Sequence, residues 1–402
     1  MPWTTASPMS LRLEFVHTVH RRRSRITDVC RAFGISEKTG HKWLARFAAE
    51  GDAGLDDRPP IARTAPHQLA PPVAAALLAC RHAHPTWGPR KLRAYLARRE
   101  PACAWPAPST IGALLHRHGL VHARRRPGGG PARWAPLDQP LTVAHAPNEV
   151  WTTDFKGEFR LSHGPYCYPL TVLDAHTRFL LACHALPSTA HASAQRVFTQ
   201  LFHTYGVPRV IRSDNGVPFA SPLALSRLSQ LAVWWIRLGI RPERIQRGAP
   251  QQNGAHERMH KTLKAEATRP AAATPARQQR RFDAFRQEYN TERPHEALGL
   301  TPPASTYHDS PRRMPPRLPP LAYPAHAEIR RVSTGGCIKW RRTPLWLTAV
   351  LAGQDVALEP VTAECWTLAF GPLVLGIVDD RTRSFTPHSY WKLDSMDNPP
   401  AP

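Results

Sequence analysis

Apolar side chains near the amino terminus fall on one helix face. Leu11, Phe15, Val16 and Val19 recur at helical spacing, and a second short helix is predicted from Thr27, which can act as its N-cap, to Phe33. Gly34 then permits a sharp turn, Ser36 can cap the next helix, and that helix, over 37–49, places Trp43, Leu44 and Phe47 inward. A second helical set follows: one helix over 73–82, one opened by HPTWGPRKL (84–92), and one starting at Pro108 that carries Ile111, Leu114 and Leu115. Beyond 145 the period changes. Apolar runs at 150–161, 166–173 and 179–184 read as strands, with DAHTR (174–178) as a polar hairpin turn. An amphipathic helix over 191–205 carries Ala194, Val197, Phe198, Leu201, Phe202 and Tyr205 on one face. Val210 and Ile211 form a short buried strand ending at SDNG (213–216). A helix over 225–238, a strand over 240–245 and a helix from near Asn253 to about 268 complete this stretch. The last segment breaks into short strands at 328–332, 337–340, 345–347, 356–358, 366–370 and 373–378, with Gly335 and Gly336 joining the first pair as a hairpin.

Proline clusters divide these elements. Pro59 with Pro60, Pro71 with Pro72, the RPGGGP stretch (126–131) and the proline-rich 301–324 mark breaks, because proline fixes φ and removes a backbone donor. Four blocks result: a helix-turn-helix domain at 10–58, a second unit of that type at 66–124, an α/β block at 145–300 and a β block at 325–398. The expected fold class is therefore multidomain. It has all-α units first, then a mixed sheet covered by helices, and finally a small β-barrel.

Charge sharpens the picture. The chain has 402 residues and a formal net charge of +23, which points to a polyanionic partner, nucleic acid first. The excess is uneven: residues 1–150 hold 22 basic and 10 acidic side chains, 151–300 hold 20 and 11, and 301–402 hold 11 and 9. No apolar run approaches the ~18–20 residues of a bilayer span, and no secretory signal is evident in the first fifteen residues. The seven cysteines are odd in number, scattered and without a Cys-x-x-Cys pair, which argues against a disulfide framework or a zinc ribbon and for a reducing cytoplasm.

Basic residues gather where DNA would be met. Lys38, His41, Lys42 and Arg46 share a face of the 37–49 helix away from its core side, as a recognition helix requires, with Arg21, Arg22, Arg23 and Arg25 nearby. Gly40 is out of place in such a helix, where it costs ~1 kcal/mol against Ala. Arg90, Lys91, Arg93, Arg98 and Arg99 suit phosphate contacts in the second unit, and Arg124, Arg125 and Arg126 before the glycines read as a basic linker.

Three carboxylates stand at ends and faces of the α/β block. Alternation in the first strand puts Trp151, Thr153 and Phe155 on one face and Val150, Thr152 and Asp154 on the other. A carboxylate on a half-buried face needs a partner, and a hard divalent cation or an arginine would serve. Asp214 ends the fourth strand, where a turn role is also open to it. Glu257 lies in the first turns of its helix, where it also opposes the helix dipole and can pair with Lys261. Lys261 and Lys264 follow Glu257 on the same face, placed for phosphate or for solvent.

The words TTDFKG (152–157), SDNGVPFA (213–220), PQQNGAHERMHKTLKAE (250–266) and YNTERPHEALG (289–299) resemble the bacterial insertion-sequence transposases that carry a retroviral-integrase-type catalytic core. The stretches at 84–92 and 108–121 resemble that family's winged-helix-like DNA-binding segment, and those at 338–340 and 370–376 extend the resemblance towards the carboxyl terminus. The resemblance implies a ribonuclease-H-like core and a catalytic triad carried onto Asp154, Asp214 and Glu257. It further implies Mg²⁺ or Mn²⁺, as two ions ~3.5–4 Å apart, which activate water and then a 3′-hydroxyl without a covalent protein intermediate. The implied partners are double-stranded DNA, both element ends and target, and further copies of the chain on that DNA, in a bacterial cytoplasm and on the nucleoid when DNA-bound. A catalytically dead DNA-binding regulator is the alternative, weakened by the presence of all three carboxylates. Arg247 and Ala249 depart from the family pattern in the loop before the helix of Glu257, and Ala255 replaces the basic residue expected before His256.

Overall fold

The computed structural model describes residues 7–22, 25–57, 69–121, 141–221, 224–246 and 250–392. The basic linker at 124–126 with its glycines, Arg23, Pro59, Pro60, Arg247, Ala249 and the ends of the expected blocks at 58, 66–68, 122–124 and 393–398 lie outside these residues. The chain divides into two compact units, Met1–Leu69 and Ala70–Pro402. No helix among the described residues is long and apolar enough to cross a membrane.

The first unit is three helices, α1 (Pro8–Arg22), α2 (Ile26–Ala32) and α3 (Glu37–Glu50), around Phe15, Val16, Val29, Cys30, Trp43 and Leu55. Ser36 caps α3 by accepting from the Thr39 N–H at 3.2 Å. Thr27 is not the cap of α2: that helix begins one residue earlier, with Arg25 at its N-cap and no side-chain cap bond. Gly40, anomalous in the sequence, is explained by packing. It is buried, and a Cβ there would lie 2.5 Å from the Cys30 sulfur and 3.0 Å from the Phe15 ring.

The second unit opens with α4 (Pro71–Ala83), α5 (Pro89–Arg99) and α6 (Pro108–Arg117), each with proline in its first turn, where the missing N–H costs nothing. The mixed sheet follows. β1 (Val150–Phe155) is flanked by antiparallel β3 (Tyr166–Asp174), which pairs in turn with β2 (Phe159–Arg160) and β4 (Leu180–Leu186). On its other side lie parallel β5 (Val210–Ser213) and then β6 (Arg241–Arg244). The run expected as one strand over 150–161 is two strands, because β1 stops at Phe155 before Lys156, Gly157 and Glu158.

Helices α7 (His191–Tyr205) and α8 (Gln230–Arg237) cover one face through Phe198, Phe202, Leu231 and Trp235. Helices α9 (Gly254–Glu266) and α10 (Pro275–Thr291) cover the other through Met259, Leu263, Phe282, Phe285 and Tyr289. The helix expected over 225–238 is shortened. Ser226 and Arg227 adopt positive φ (53° and 51°), and Ser229 caps α8 through the Ala232 N–H at 3.1 Å. Helix α10 was not foreseen from the sequence.

The carboxyl-terminal strands are β7 (Glu328–Arg331), β8 (Cys337–Trp340), β9 (Thr343–Trp346), β10 (Asp355–Pro360), β11 (Cys365–Phe370), β12 (Leu373–Asp379) and β13 (Ser384–Trp391). Their order is β13-β12-β11-β10-β7, an open antiparallel sheet with β8 and β9 as a separate hairpin. The expected closed barrel is therefore not formed by the described strands. Nor is the first pair a hairpin: β7 pairs with β10, while β8 turns at Arg341 and Arg342 to pair with β9. One apolar core is nevertheless enclosed, because Ile338, Trp340, Leu345 and Leu347 pack on the sheet residues Val356, Leu368 and Phe370, and α8 adds Ala232, Val233 and Ile236, with Leu228 just before it. Helix α8 is thus buried on two sides, in the mixed-sheet core and in the carboxyl-terminal core.

Candidate active site

The parallel register of β1 and β5 pairs Val150 with Val210, Trp151 with Ile211 and Thr152 with Arg212. Carried two residues further, it sets Asp154 beside Asp214 at the same end of neighbouring strands, which lie about 4.8 Å apart. Asp154 faces α9, as the alternation predicts: Trp151 and Phe155 pack in the core on the opposite face, against α7 and α8. Asp214 begins the loop after β5. Its Oδ1 accepts from the Gly216 N–H at 3.0 Å, and Asn215 donates to the Ile245 carbonyl at 2.7 Å, so the loop is tied to the end of β6. The turn role open to Asp214 is therefore realised, and its Oδ2 accepts no hydrogen bond within this turn.

Glu257 is exposed in the first turn of α9, and Lys261 and Lys264 are exposed on the same face. The residues beside it are buried. His256 Nδ1 lies 2.8 Å from the Thr152 hydroxyl, and His256 Nε2 and His260 Nε2 each lie 2.7 Å from the Thr171 hydroxyl. His260 Nδ1 stands 3.6 Å from Asp154 Oδ2. Burial lowers the His256 pKa to about 3 and that of His260 to about 2, so both are neutral imidazoles. No sequence signal singled out this histidine pair, although its i, i+4 spacing beside Glu257 was visible.

Asp214 and Glu257 both act electrostatically on Asp154. The Asp154 carboxyl is raised to about 7, first by burial, then by repulsion from Asp214, with Glu257 adding to it against the Phe155 N–H and Lys156. Among the described residues no three His, Cys, Asp or Glu side chains are gathered tightly enough to enclose a metal ion. The donor set still fits a hard divalent cation: carboxylate oxygens from β1, from the loop after β5 and from a facing helix, with a mutual repulsion that positive charge would relieve.

The basic residues part company. Lys38, His41 and Lys42 are exposed on α3, and Arg46 is half-buried. Arg12, Lys42 and Arg46 place their cationic groups 4.1, 4.7 and 5.2 Å from the centre of the Trp43 ring. In the second helical set Arg90 is exposed, but Lys91 is half-buried and its pKa is lowered to about 8, by burial first and then by Arg293, with Glu296 and Glu266 opposing. Arg98 donates to the Glu292 carbonyl at 2.7 Å, Tyr95 to the Glu292 carboxylate at 3.1 Å, and His84 Nδ1 lies 2.8 Å from Glu288. The second helical set therefore rests on the carboxyl-terminal end of α10, at Glu288 and Glu292.

The Integrase core domain family matches residues 144–250 and 238–303, the Helix-turn-helix domain family 11–63 and the Homeodomain-like domain family 39–115. The Insertion element IS407 uncharacterized 31.7 kDa protein of Burkholderia multivorans is 30% identical over 233 residues, covering 58% of this chain and 79% of that protein. The Insertion element IS476 uncharacterized 39.2 kDa protein of Xanthomonas euvesicatoria is 30% identical over 167 residues, 41% of this chain and 46% of that protein. The Pol polyprotein of Feline endogenous virus ECE1 is 30% identical over 178 residues, 42% of this chain but 16% of the polyprotein. Among solved structures, the HTLV-2 integrase catalytic core domain in complex with magnesium is 14% identical with a TM-score of 0.33, over 41% of this chain and all of that one. A simian T-cell lymphotropic virus intasome structure is 16% identical with a TM-score of 0.36, over 74% of this chain and 97% of that one.

Proposed function

Because this chain belongs to the bacterial insertion-element transposases with an integrase-type core, we propose that it binds the terminal inverted repeats of its element, cuts the DNA there and joins the ends to target DNA. The observation that carries this reading is the juxtaposition of Asp154 on β1 and Asp214 just past the end of the parallel strand β5, with Glu257 near enough to act on the same carboxyl.

Asp154, Asp214 and Glu257 would hold Mg²⁺ or Mn²⁺, which when bound supplies nucleophile activation and charge neutralisation at the phosphorus. In the first step water attacks the phosphorus at the element end, and the 3′ oxygen leaves as a free hydroxyl. In the second, that 3′-hydroxyl attacks a target phosphodiester, one P–O bond forming as another breaks. No serine or tyrosine nucleophile is required. Lys261 and Lys264 share the exposed face of Glu257 and hold the phosphate beside it. Lys38, His41, Lys42 and Arg46 read repeat bases, while Arg90 and Lys91 contact phosphates. Joining two ends in one event calls for at least two copies of the chain on DNA.

The test separates binding from chemistry. Asp154→Asn, Asp214→Asn and Glu257→Gln each remove one ligand charge at nearly constant shape. Each variant should bind end DNA within a few-fold of the parent, because that affinity resides in Lys, Arg and base contacts. Each should lose cleavage and strand transfer by several orders of magnitude. Near-normal strand transfer in Mg²⁺ by any one of them would remove that residue from the triad. A parent protein that binds ends but neither cuts nor joins them would instead be the regulator.

A further inference from the structure

We infer that His256, Thr171 and His260 form a positioning clamp that sets where α9, and with it Glu257, stands relative to Asp154, and so governs the affinity of the carboxylate site for a divalent cation. The inference rests on the proposed ligand role of Asp154, Asp214 and Glu257.

The clamp is legible in a hydrogen count. The Thr171 hydroxyl faces three groups: the Asp154 carbonyl at 3.0 Å, His256 Nε2 at 2.7 Å and His260 Nε2 at 2.7 Å. A hydroxyl has one proton and two lone pairs. All three contacts are hydrogen bonds only when Thr171 donates to the carbonyl and both imidazoles donate their Nε2–H. His256 Nδ1 then accepts from the Thr152 hydroxyl at 2.8 Å, the nearer of the two acceptors of that single proton, the other being the Leu173 carbonyl at 3.3 Å. In this arrangement His260 Nδ1 carries no proton, and at 3.6 Å it makes no hydrogen bond to Asp154 Oδ2.

Two consequences follow. The clamp grips Asp154 by its main chain and takes no carboxylate oxygen, which leaves that group to a cation. It also grips α9 at two points one turn apart, on strands β1 and β3 together, whereas apolar contacts of the Met259 and Leu263 kind resist rotation less. His256 and Thr171 are fully buried, and Thr152 and His260 nearly so, so water cannot replace these bonds. Glu257 is the next residue after His256, about 100° further round the helix, so a turn or slide of α9 moves it directly. Groups that orient ligands without touching the metal set its affinity in this way.

The experiment measures Mn²⁺ binding by calorimetry on the full-length protein without DNA, beside end-DNA binding and strand transfer at varied Mg²⁺. Thr171→Val keeps the shape and deletes the hydroxyl, Thr171→Ser restores the hydroxyl, and Thr152→Val severs the second strand from His256 in case the first variant fails to fold. Thr171→Val should keep end-DNA binding within threefold, weaken Mn²⁺ binding about tenfold and raise the half-maximal Mg²⁺ by a similar factor, with Thr171→Ser recovering most of both. Thr152→Val should shift both in the same direction. Mn²⁺ affinity unchanged within twofold in a Thr171→Val or Thr152→Val protein that still binds end DNA would overturn the clamp, as would equal losses in the Ser and Val variants at 171. Asp154→Asn, run alongside, keeps the two ideas apart: if it still binds Mn²⁺ and transfers strands, the ligand assignment fails rather than the clamp.

Discussion

On the proposed ligand role, Asp154 must give up a proton before it can hold a cation. With its pKa raised to about 7, chiefly by burial and then by Asp214, cation and proton compete at that carboxyl through the neutral range. Apparent Mn²⁺ affinity should therefore rise with pH, by up to about tenfold per unit below pH 7, and flatten above it. Calorimetry from pH 5.5 to 8 checks this, and a flat profile would mean that no proton is displaced. The same shift acts on stability. A carboxyl whose folded pKa is raised contributes stability below its unfolded value that is lost as pH rises through about 7. Without divalent cations, Asp154→Asn should be the more stable protein at pH 8 and lose that advantage towards pH 4, as read by urea unfolding. His256, His260 and His295 work in the opposite direction. Burial lowers them to about 3, 2 and 3, so the stability they contribute is complete above pH 6.5 and falls as pH drops towards those values.

Helix α3 sets a local propensity against a close crossing. Gly40→Ala favours the isolated helix by ~1 kcal/mol, but its methyl would meet the Cys30 sulfur at 2.5 Å. The variant should destabilise the first unit by roughly 1–3 kcal/mol and weaken end binding, and adding Cys30→Ala should recover most of the loss. Thermal melts and end-DNA binding of the single and double variants decide it. Elements with one apolar face were legible from sequence: α3 and α7 emerge where their spacing puts them, and the alternation in β1 aimed Asp154 at the correct face. Other elements were hidden for physical reasons. Helix α10 shows only Phe282, Phe285 and Tyr289 among arginines and glutamines, although Thr274 caps it and Pro275 opens it. Strand β13 is mostly exposed and contains Pro387, so it lacks strand patterning. The β7–β10 pairing joins segments far apart in sequence, which local spacing cannot reveal. Of the candidate site, the three carboxylates were legible because each sits in a distinctive word. The contacts of His256 and His260 were not, because the Thr152 and Thr171 hydroxyls come from other strands and meet α9 only in the fold.

At the scale of the whole chain, proline content suggested a seam at 301–324 that packing does not respect. Helix α8 gives Leu231 and Trp235 to the mixed-sheet core and Ala232, Val233 and Ile236 to the carboxyl-terminal core. Arg237 adds hydrogen bonds to Gln354 and to the Pro319 carbonyl at 3.0 and 2.9 Å. A chain ending at 324 should therefore uncover an apolar strip on α8, at roughly 1.5–3 kcal/mol for each large side chain exposed. It should aggregate or melt well below the parent, and not yield a free-standing core; light scattering and a thermal melt would show which. Replacing Val233 and Ile236 with Thr and Gln should improve the solubility of the truncated chain while harming the full one. For the element as a genetic object, this means that its final segment is no interchangeable cassette. A recombination that imported a foreign last sheet would have to import the matching side of α8, about a hundred residues upstream, so the two stretches are expected to be inherited together.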